Sequence, residues 1–527
     1  MLKTTKNKII FSLILLCLSF IVIELPHIES GLPMHSDSYD NIAITQQLSK
    51  GGFTGDPYAP PEEKSYYETR NSPDVEIGYT AILSILSFTP IINETHFPLI
   101  IPWLVSILLF FTSYLLLKKI GKTDFISFFA SLFVFFIPSS QEMLGLVFLV
   151  ASNIGIALVP VLLFFGYDSL KNQKNQKKFI ITSIITTLIY PPAVIIAGLA
   201  LACFVFTSKE LFTKNKQKIL LSTGFFATLF VMYILFLVVS SGFNPLELLQ
   251  QYGSEFIFAM VDFAIDQILL KQITLHNLPF FDAYLGLPLF LISLISIAYF
   301  AIKEIKHNST FEDRLLFLPA ITLIFLVGVN NFLEVGVLIP AERTILFASY
   351  FLLLTIGVFI GTILEKLVEK VEIVKTNKLF FAIIFCLILC AGIVLSSPLK
   401  KDSLEQNITQ EELISIDWLK ENTSKDTLIL APPAISKAIK VLSNRNVVCT
   451  TSTRFGCTSQ LNFLSSSFFF VNCEKKQKII QKYFHLDYVL IQKNIVFKEK
   501  LVNIPNQDCN FLELVFDEKN IRIYKRN

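Results

Sequence analysis

Residues 98–137 read PLIIPWLVSILLFFTSYLLLKKIGKTDFISFFASLFVFFI. Two apolar runs, 98–117 and 125–137, flank the basic turn Lys118-Lys119-Ile120-Gly121-Lys122-Thr123-Asp124. A bilayer core about 30 Å thick needs about 20 mostly apolar helical residues to cross it. The first run meets that length and the second falls short of it. Whether 125–137 crosses therefore decides on which side every later loop lies.

Working outward, runs of spanning length occupy 9–25, 144–165, 219–240, 283–302, 315–333, 344–364 and 379–397. Two shorter runs, 179–190 and 193–206, flank Pro191-Pro192 and read as a hairpin bent at the prolines. The run 77–92 fits either a span or an interfacial helix. Charge resolves the ambiguity, because Lys and Arg in short loops stay cytoplasmic. The basic loops are 1–8, 118–124, 166–178, 208–218, 303–314 and 365–378, whereas loops between them, such as 138–143, carry almost no Lys. All six share one side only if 77–92 does not cross, 125–137 does, and the proline hairpin crosses twice. The expected fold is an all-α polytopic membrane bundle of about eleven transmembrane helices, residues 1–397, followed by a small soluble α/β domain, residues 398–527. The N-terminus is expected in the cytoplasm and the C-terminal domain outside the plasma membrane, with 77–92 re-entrant or interfacial on the outer face. Run 9–25 follows Lys3, Lys6 and Lys8 like a signal peptide, but its exit Glu24-Leu25-Pro26-His27 lacks a small-residue cleavage site, so it reads as a retained span.

Composition agrees. The 527 residues are 53% hydrophobic and 17% charged, against about 25% charged in soluble domains. A net charge of +3 is too small to imply a nucleic-acid partner. Cys17, Cys203, Cys386 and Cys390 fall in apolar runs, where a free thiol behaves as a small apolar residue. Cys449, Cys457, Cys473 and Cys509 fall in the exported domain and suggest two disulfides, with three pairings open. In that domain, 411–422, 434–442 and 474–485 read as helices. Residues 427–431, 447–450 and 487–491 read as strands, and 511–516 with 521–524 as a hairpin. No glycine-rich phosphate loop is present there.

Charge in the outer loops is concentrated. Residues 26–76 hold nine acidic side chains against three basic ones. Ser36-Asp37-Ser38-Tyr39-Asp40 opens a helix running to Lys50, stopped by Gly51-Gly52. Ser36 can cap it, and Asp37 and Asp40 suit its positive N-terminal end. Glu142 lies in the loop 138–143, and Glu342-Arg343 at the outer end of a span. The plain readings are capping and solvation for the two aspartates, a boundary residue for Glu142, and snorkelling or pairing with Glu342 for Arg343. Asp262 and Asp266, four apart in 242–282, fit one solvated helix face. What sets Asp37, Glu142 and Arg343 apart is that the topology puts all three on the outer face near the membrane, where they suit a reaction on a lipid phosphate.

Several strings carry a resemblance. Asp37-x-Tyr39-x3-Ala43 runs into Gly51-Gly52. Ser72-Pro73 leads into Gly78-Tyr79-Thr80-Ala81-Ile82-Leu83. Glu142 occupies a second outer acidic position. Ile416-Asp417-Trp418-Leu419-Lys420-Glu421-Asn422-Thr423 opens the soluble domain, and Phe516-Asp517-Glu518-Lys519-Asn520-Ile521-Arg522-Ile523-Tyr524 closes it. With these the chain resembles the GT-C superfamily of polyprenyl-phosphate-sugar-dependent glycosyltransferases, which includes protein mannosyltransferases, oligosaccharyltransferases and aminoarabinose transferases. The resemblance implies an inverting hexosyl or pentosyl transfer from a lipid-linked donor, such as a dolichyl phosphate sugar, to a protein, glycan or lipid acceptor. Asp37 would be the general base and Arg343 the partner of the leaving phosphate. Asp40 and Glu142 would orient the acceptor or bind a divalent cation such as Mg or Mn, with Tyr39, Tyr190 and Glu342 lining the substrate site. The family often has Asp-Glu or Asp-Asp where Asp37 is followed here by Ser38. A WWD-type motif is impossible with only Trp103 and Trp418, which favours a single sugar over a whole oligosaccharide. The competing reading is a transporter or flippase, for which charged and broken helices at the midplane are the usual mark.

Overall fold

A computed structural model of the chain describes residues 36–49, 77–88, 96–139, 146–172, 174–207, 287–306, 311–333, 341–370, 408–450, 467–483, 486–497, 500–503 and 509–527, with isolated residues 19, 20, 23, 213 and 465. The expected spans 219–240 and 379–397, nearly all of 9–25, loop 242–282 with Asp262 and Asp266, and Glu142 lie outside them.

Ten helices precede the C-terminal part among the described residues. They are α1 (Ser36–Ser49), α2 (Ile77–Ser87), α3 (Phe97–Lys119), α4 (Asp124–Leu132), α5 (Ala151–Asn172), α6 (Gln176–Ile189), α7 (Pro191–Phe206), α8 (Leu287–Ile305), α9 (Arg314–Leu333) and α10 (Ala341–Lys370). Three of the described helices, at Phe97–Lys119, Ala151–Asn172 and Arg343–Leu367, are long and apolar enough to cross a membrane. Exposure is sorted as lipid contact requires: α3 shows Leu104, Leu108, Phe111 and Leu115 along one face, and α6 shows Ile180, Ile181, Ile184, Ile185 and Leu188. The centre is α10, buried along nearly its whole apolar length and packed on α4, α5, α8 and α9.

Two runs depart from the sequence reading for visible reasons. Run 125–137 forms α4 and then a 3-10 turn, Phe133–Phe136. Together they are only about 20 Å long. The segment is apolar all round because it is enclosed by α3 and α10, with Phe110 stacked on Phe135 at 5.8 Å. Run 144–165 becomes helical only at Ala151. Asn153 Nδ2 donates to the carbonyls of Leu146 (3.2 Å) and Phe148, and this holds 146–150 in an irregular path. The proline hairpin forms as expected, α6 ending at Tyr190 and α7 starting at Pro191. Helix α2, at 11 residues, is about 16 Å long, too short to span the bilayer core.

One end of the bundle is an ionic seam. Lys119 pairs with the buried Asp168 at 2.6 Å, and Asn172 and Asn175 donate to the same carboxylate. Lys122 and Lys303 (2.9 Å) both pair with the buried Asp313. Lys171 pairs with Glu312, Arg314 pairs with Glu304 at 2.5 Å, and Thr123 donates to Glu365 at 2.8 Å. Arg314 also donates to the Thr207 carbonyl at the end of α7. The described parts of the basic turns at 118–124, 166–178 and 303–314 thus meet at one end.

The C-terminal part alternates helix and strand: α11 (Gln410–Asn422), β1 (Leu428–Leu430), α12 (Pro433–Ala438), a π-helical turn (Ile439–Ser443), β2 (Asn446–Val447), α13 (Cys473–Tyr483), β3 (Tyr488–Gln492), β4 (Asn494–Phe497), β5 (Lys500–Asn503), β6 (Leu512–Glu518) and β7 (Ile521–Arg526). Its sheet has the order β2-β1-β3-β7-β6, parallel at β1 with β2 and β3 and antiparallel thereafter. A separate hairpin pairs β4 with β5 and was not foreseen from the sequence. Helix α11 opens with a capping box, Thr409 accepting from the Glu412 amide while Glu412 accepts from the Thr409 amide at 2.6 Å. Arg445 closes it, donating to the carbonyls of Lys420 and Thr423 (2.6 Å each) and to that of Ser443 (2.8 Å).

Cys473 is bonded to Cys509, and Cys449 is also disulfide-bonded. Of the three pairings the sequence leaves open, the first bond is compatible with one. It closes a loop of separation 36, which by loop-closure entropy stabilises the domain by about 4 kcal/mol. Replacing both Cys473 and Cys509 by Ser is expected to lower the stability of the C-terminal domain by about that amount, read from denaturant unfolding of the detergent-solubilised full chain.

Candidate active site

The end of the bundle opposite the ionic seam gathers the described parts of the expected site. Helix α1 is buried along Ser38–Ile44 and packs on α2, α12 and the π-turn. Asn41 Nδ2 donates to the Leu149 carbonyl at 3.1 Å, and Ser38 Oγ to the same oxygen at 3.4 Å. Leu149 lies just ahead of α5, in the irregular stretch that follows the loop bearing Glu142. Two segments far apart in sequence are thereby tied together. Helix α2 packs on α1 and on the far end of α6, its Gly78 close to the Leu188 backbone.

Asp37 is the second residue of α1, and its side chain lies outside the description. Asp40, one helical turn on, is buried, and Lys437 Nζ sits 2.9 Å from its Oδ2. That pair joins α1 to α12. Tyr39 is also buried, and its hydroxyl has no hydrogen-bond partner among the described residues. Burial, reinforced by the Glu412 carboxylate, pushes the Tyr39 phenol up, so it stays protonated. Burial likewise pushes Glu412 up, against the stabilising amide of Thr409 and the side chain of Gln492.

Tyr190 occupies the apex of the proline hairpin. Its ring stacks on Phe347 of α10 with centroids 6.4 Å apart. It lies so close to Gly155 of α5 that a Cβ there would sit 2.4 Å from the ring. Arg343 lies four residues before Phe347, hence on the same face of α10 and one turn nearer its start; it is half-buried. Glu342 is in that first turn, with its side chain outside the description. The structure therefore brings the start of α1, the Leu149 segment, Tyr190 and Arg343 to one end of the bundle. It buries Tyr39 and Asp40 against the C-terminal part. Lys437 was missed in the sequence, where it is one lysine on a short helix with nothing to mark its partner.

The side chains of Asp37 and Glu142, two of the carboxylates expected to take part in holding a divalent cation, lie outside the described residues. No three His, Cys, Asp or Glu converge among them, and Asp40 is already neutralised by Lys437.

No family model and no curated protein matches the chain. Solved structures do. The archaeal oligosaccharyltransferase AglB from Archaeoglobus fulgidus, in complex with an inhibitory peptide and a dolichol-phosphate, superposes with TM-score 0.56 at 13% identity, over 93% of this chain and 70% of that one. The Archaeoglobus fulgidus oligosaccharyltransferase tethered to an acceptor peptide containing the NVT sequon gives 0.56 at 14% identity, over 93% and 69%. The same enzyme in complex with Zn and sulfate gives 0.51 at 15% identity, over 91% and 68%. The chain has the GT-C fold of these enzymes.

Proposed function

We propose that the chain is a membrane glycosyltransferase that moves a single sugar from a polyprenyl-phosphate donor to an acceptor on the outer face. The observation that carries this reading is the gathering of α1, Tyr190 and Arg343 at one end of a bundle whose structural relative has been solved with dolichol-phosphate. That end would face outward and the lysine-rich seam the cytoplasm, as eleven spans require.

Chemically, the donor's tail lies in the bilayer and its sugar at the outer rim. Asp37 takes the proton of the acceptor hydroxyl. The acceptor oxygen attacks the anomeric carbon and the bond to the phosphate oxygen breaks. Polyprenyl phosphate leaves with the electron pair, and configuration inverts once. Arg343 pairs with the phosphate as its charge develops. Glu142 orients the acceptor, Tyr190 lines the cavity, and Asp40 serves through the helix it anchors.

A second reading, transfer of a whole oligosaccharide to Asn, draws on the same structural relatives. Against it stands the tryptophan inventory. Trp103 is in α3, and Trp418 packs against Phe516 at 5.5 Å as a core residue of the C-terminal part. Purified protein in nanodiscs is expected to release polyprenyl phosphate and pass label to an acceptor extract when given dolichyl-phosphate [3H]mannose or [3H]glucose. Glycosylation of an NVT peptide from a lipid-linked oligosaccharide, with neither monosaccharide donor consumed, would overturn the single-sugar reading. Movement of intact labelled donor across the bilayer would favour a flippase.

A further inference from the structure

We propose that Lys437, in the C-terminal part, is a positioning residue for the reaction: through its buried pair with Asp40 it sets the place and rotation of the helix that carries Asp37. The proposal rests on the transferase reading above.

Helix α1 is held from two directions. From the bundle, the Leu149 carbonyl accepts from Asn41 at 3.1 Å and from Ser38 at 3.4 Å. From the C-terminal part, Lys437 Nζ reaches Asp40 at 2.9 Å, and the Val441 carbonyl accepts from Gln46 Nε2 at 3.4 Å. Side chains of the ion pair are 3% and 1% exposed. At such burial water neither screens nor replaces the partner. Any other placement of α1 strands two charges, so the pair specifies geometry more than it adds stability.

The anchor itself is rigid. Lys437 sits in α12, which runs into the π-turn Ile439–Ser443 between β1 and β2. The turn ends at Asn444 in the left-handed conformation, with φ of 57°. The next residue, Arg445, bonds the Ser443 carbonyl to the end of α11. Val441 lies in the last turn, where carbonyls lack an intrahelical partner, and its oxygen is free to receive Gln46. π-turns are retained at functional sites more often than elsewhere. Asp40 follows Asp37 by three residues, so both lie on neighbouring positions of one helix face. Fixing Asp40 fixes the first turn, and a catalytic group displaced by 1 Å can lose about 100-fold in rate.

The test uses the full chain in nanodiscs with dolichyl-phosphate [3H]mannose and dolichyl-phosphate [3H]glucose as donor probes, alongside hydrogen exchange of the peptide 36–49. Lys437→Met is expected to lower kcat about 100-fold with donor KM within two-fold. Exchange of 36–49 should rise at least about ten-fold while strands β3 and β7 keep their protection. Lys437→Arg should restore most of both. Should Lys437→Met not fold, Asp40→Leu/Lys437→Met removes both charges from the buried site and decides the question from exchange and kcat alike. A folded variant with wild-type exchange over 36–49 overturns the clamp. Faster exchange with unchanged kcat overturns the positioning role. A wild type inert toward both donors, with exchange responding as described, overturns the transferase reading and leaves the clamp standing.

Discussion

Asp37→Asn is expected to lower sugar transfer by about 10³-fold while leaving donor binding and folding intact. The substitution isolates chemistry from structure. Asn has the shape of Asp and is equally at home in the first turn of a helix. The helix loses only the favourable interaction of a carboxylate with its N-terminal dipole, about 0.5 kcal/mol. On the proposed mechanism donor affinity comes from the polyprenyl tail and from the phosphate assigned to Arg343, so KM for the donor should hold within a few-fold. Initial rates with a labelled monosaccharide donor, set beside the thermal unfolding of both proteins, give the answer. A variant that folds and transfers at the wild-type rate removes Asp37 from the reaction.

Gly357→Val carries the largest expected effect on the packing of the helical bundle. Helix α10 crosses α4 so closely that a Cβ at Gly357 would lie 2.5 Å from the Cα of Ala130 and 3.0 Å from its Cβ and carbonyl oxygen. The contact is backbone against side chain, and no rotamer relieves it. A Cβ at Gly361, one turn on, would lie 3.4 Å from the Cα of Ile126. Small residues at spaced positions are the usual device for bringing membrane helices this near. A valine there must push α10 away from α4, and α10 is the helix on which the rest of the bundle packs. The cost is about 3 kcal/mol or more. Much reduced recovery of folded protein and a lowered melting temperature in detergent are expected. Gly328→Val is the control, since nothing lies within 4 Å of a Cβ at that position. Equal melting temperatures for the two variants would refute the argument.

Much of this architecture was legible because charge and apolarity act over long runs. The lysines at 118, 119, 122, 171 and 303, read only as cytoplasmic markers, turn out to share one seam. The elements of the C-terminal sheet announced themselves by alternation and turn residues, except β4 and β5. Those are a four-residue pair whose sequences, Asn494–Phe497 and Lys500–Asn503, are too short to show a period. The late start of α5 was hidden because it depends on Asn153 turning back onto carbonyls 146 and 148 rather than on local propensity. At the site, the charge pattern expects Asp37 and Arg343 on one side of the membrane, and the structure puts the start of α1 and Arg343 at one end of the bundle. The fate of Asp40 could not be read from charge, since its partner lies 397 residues away and a lone lysine carries no mark of its pairing.

That separation has a consequence for the making of the protein. At about 5–20 residues per second, synthesis from residue 40 to residue 437 takes roughly 20–80 s. Throughout that interval Asp40, on the helix bearing Asp37, lacks the lysine it pairs with in the folded chain. A nascent chain, or one ending early anywhere before the sheet, holds α1 by at most one of its two anchors, the bonds to the Leu149 carbonyl. On the proposed mechanism, the first turn of α1 takes its working geometry only once the segment carrying Lys437 has been made and folded against it.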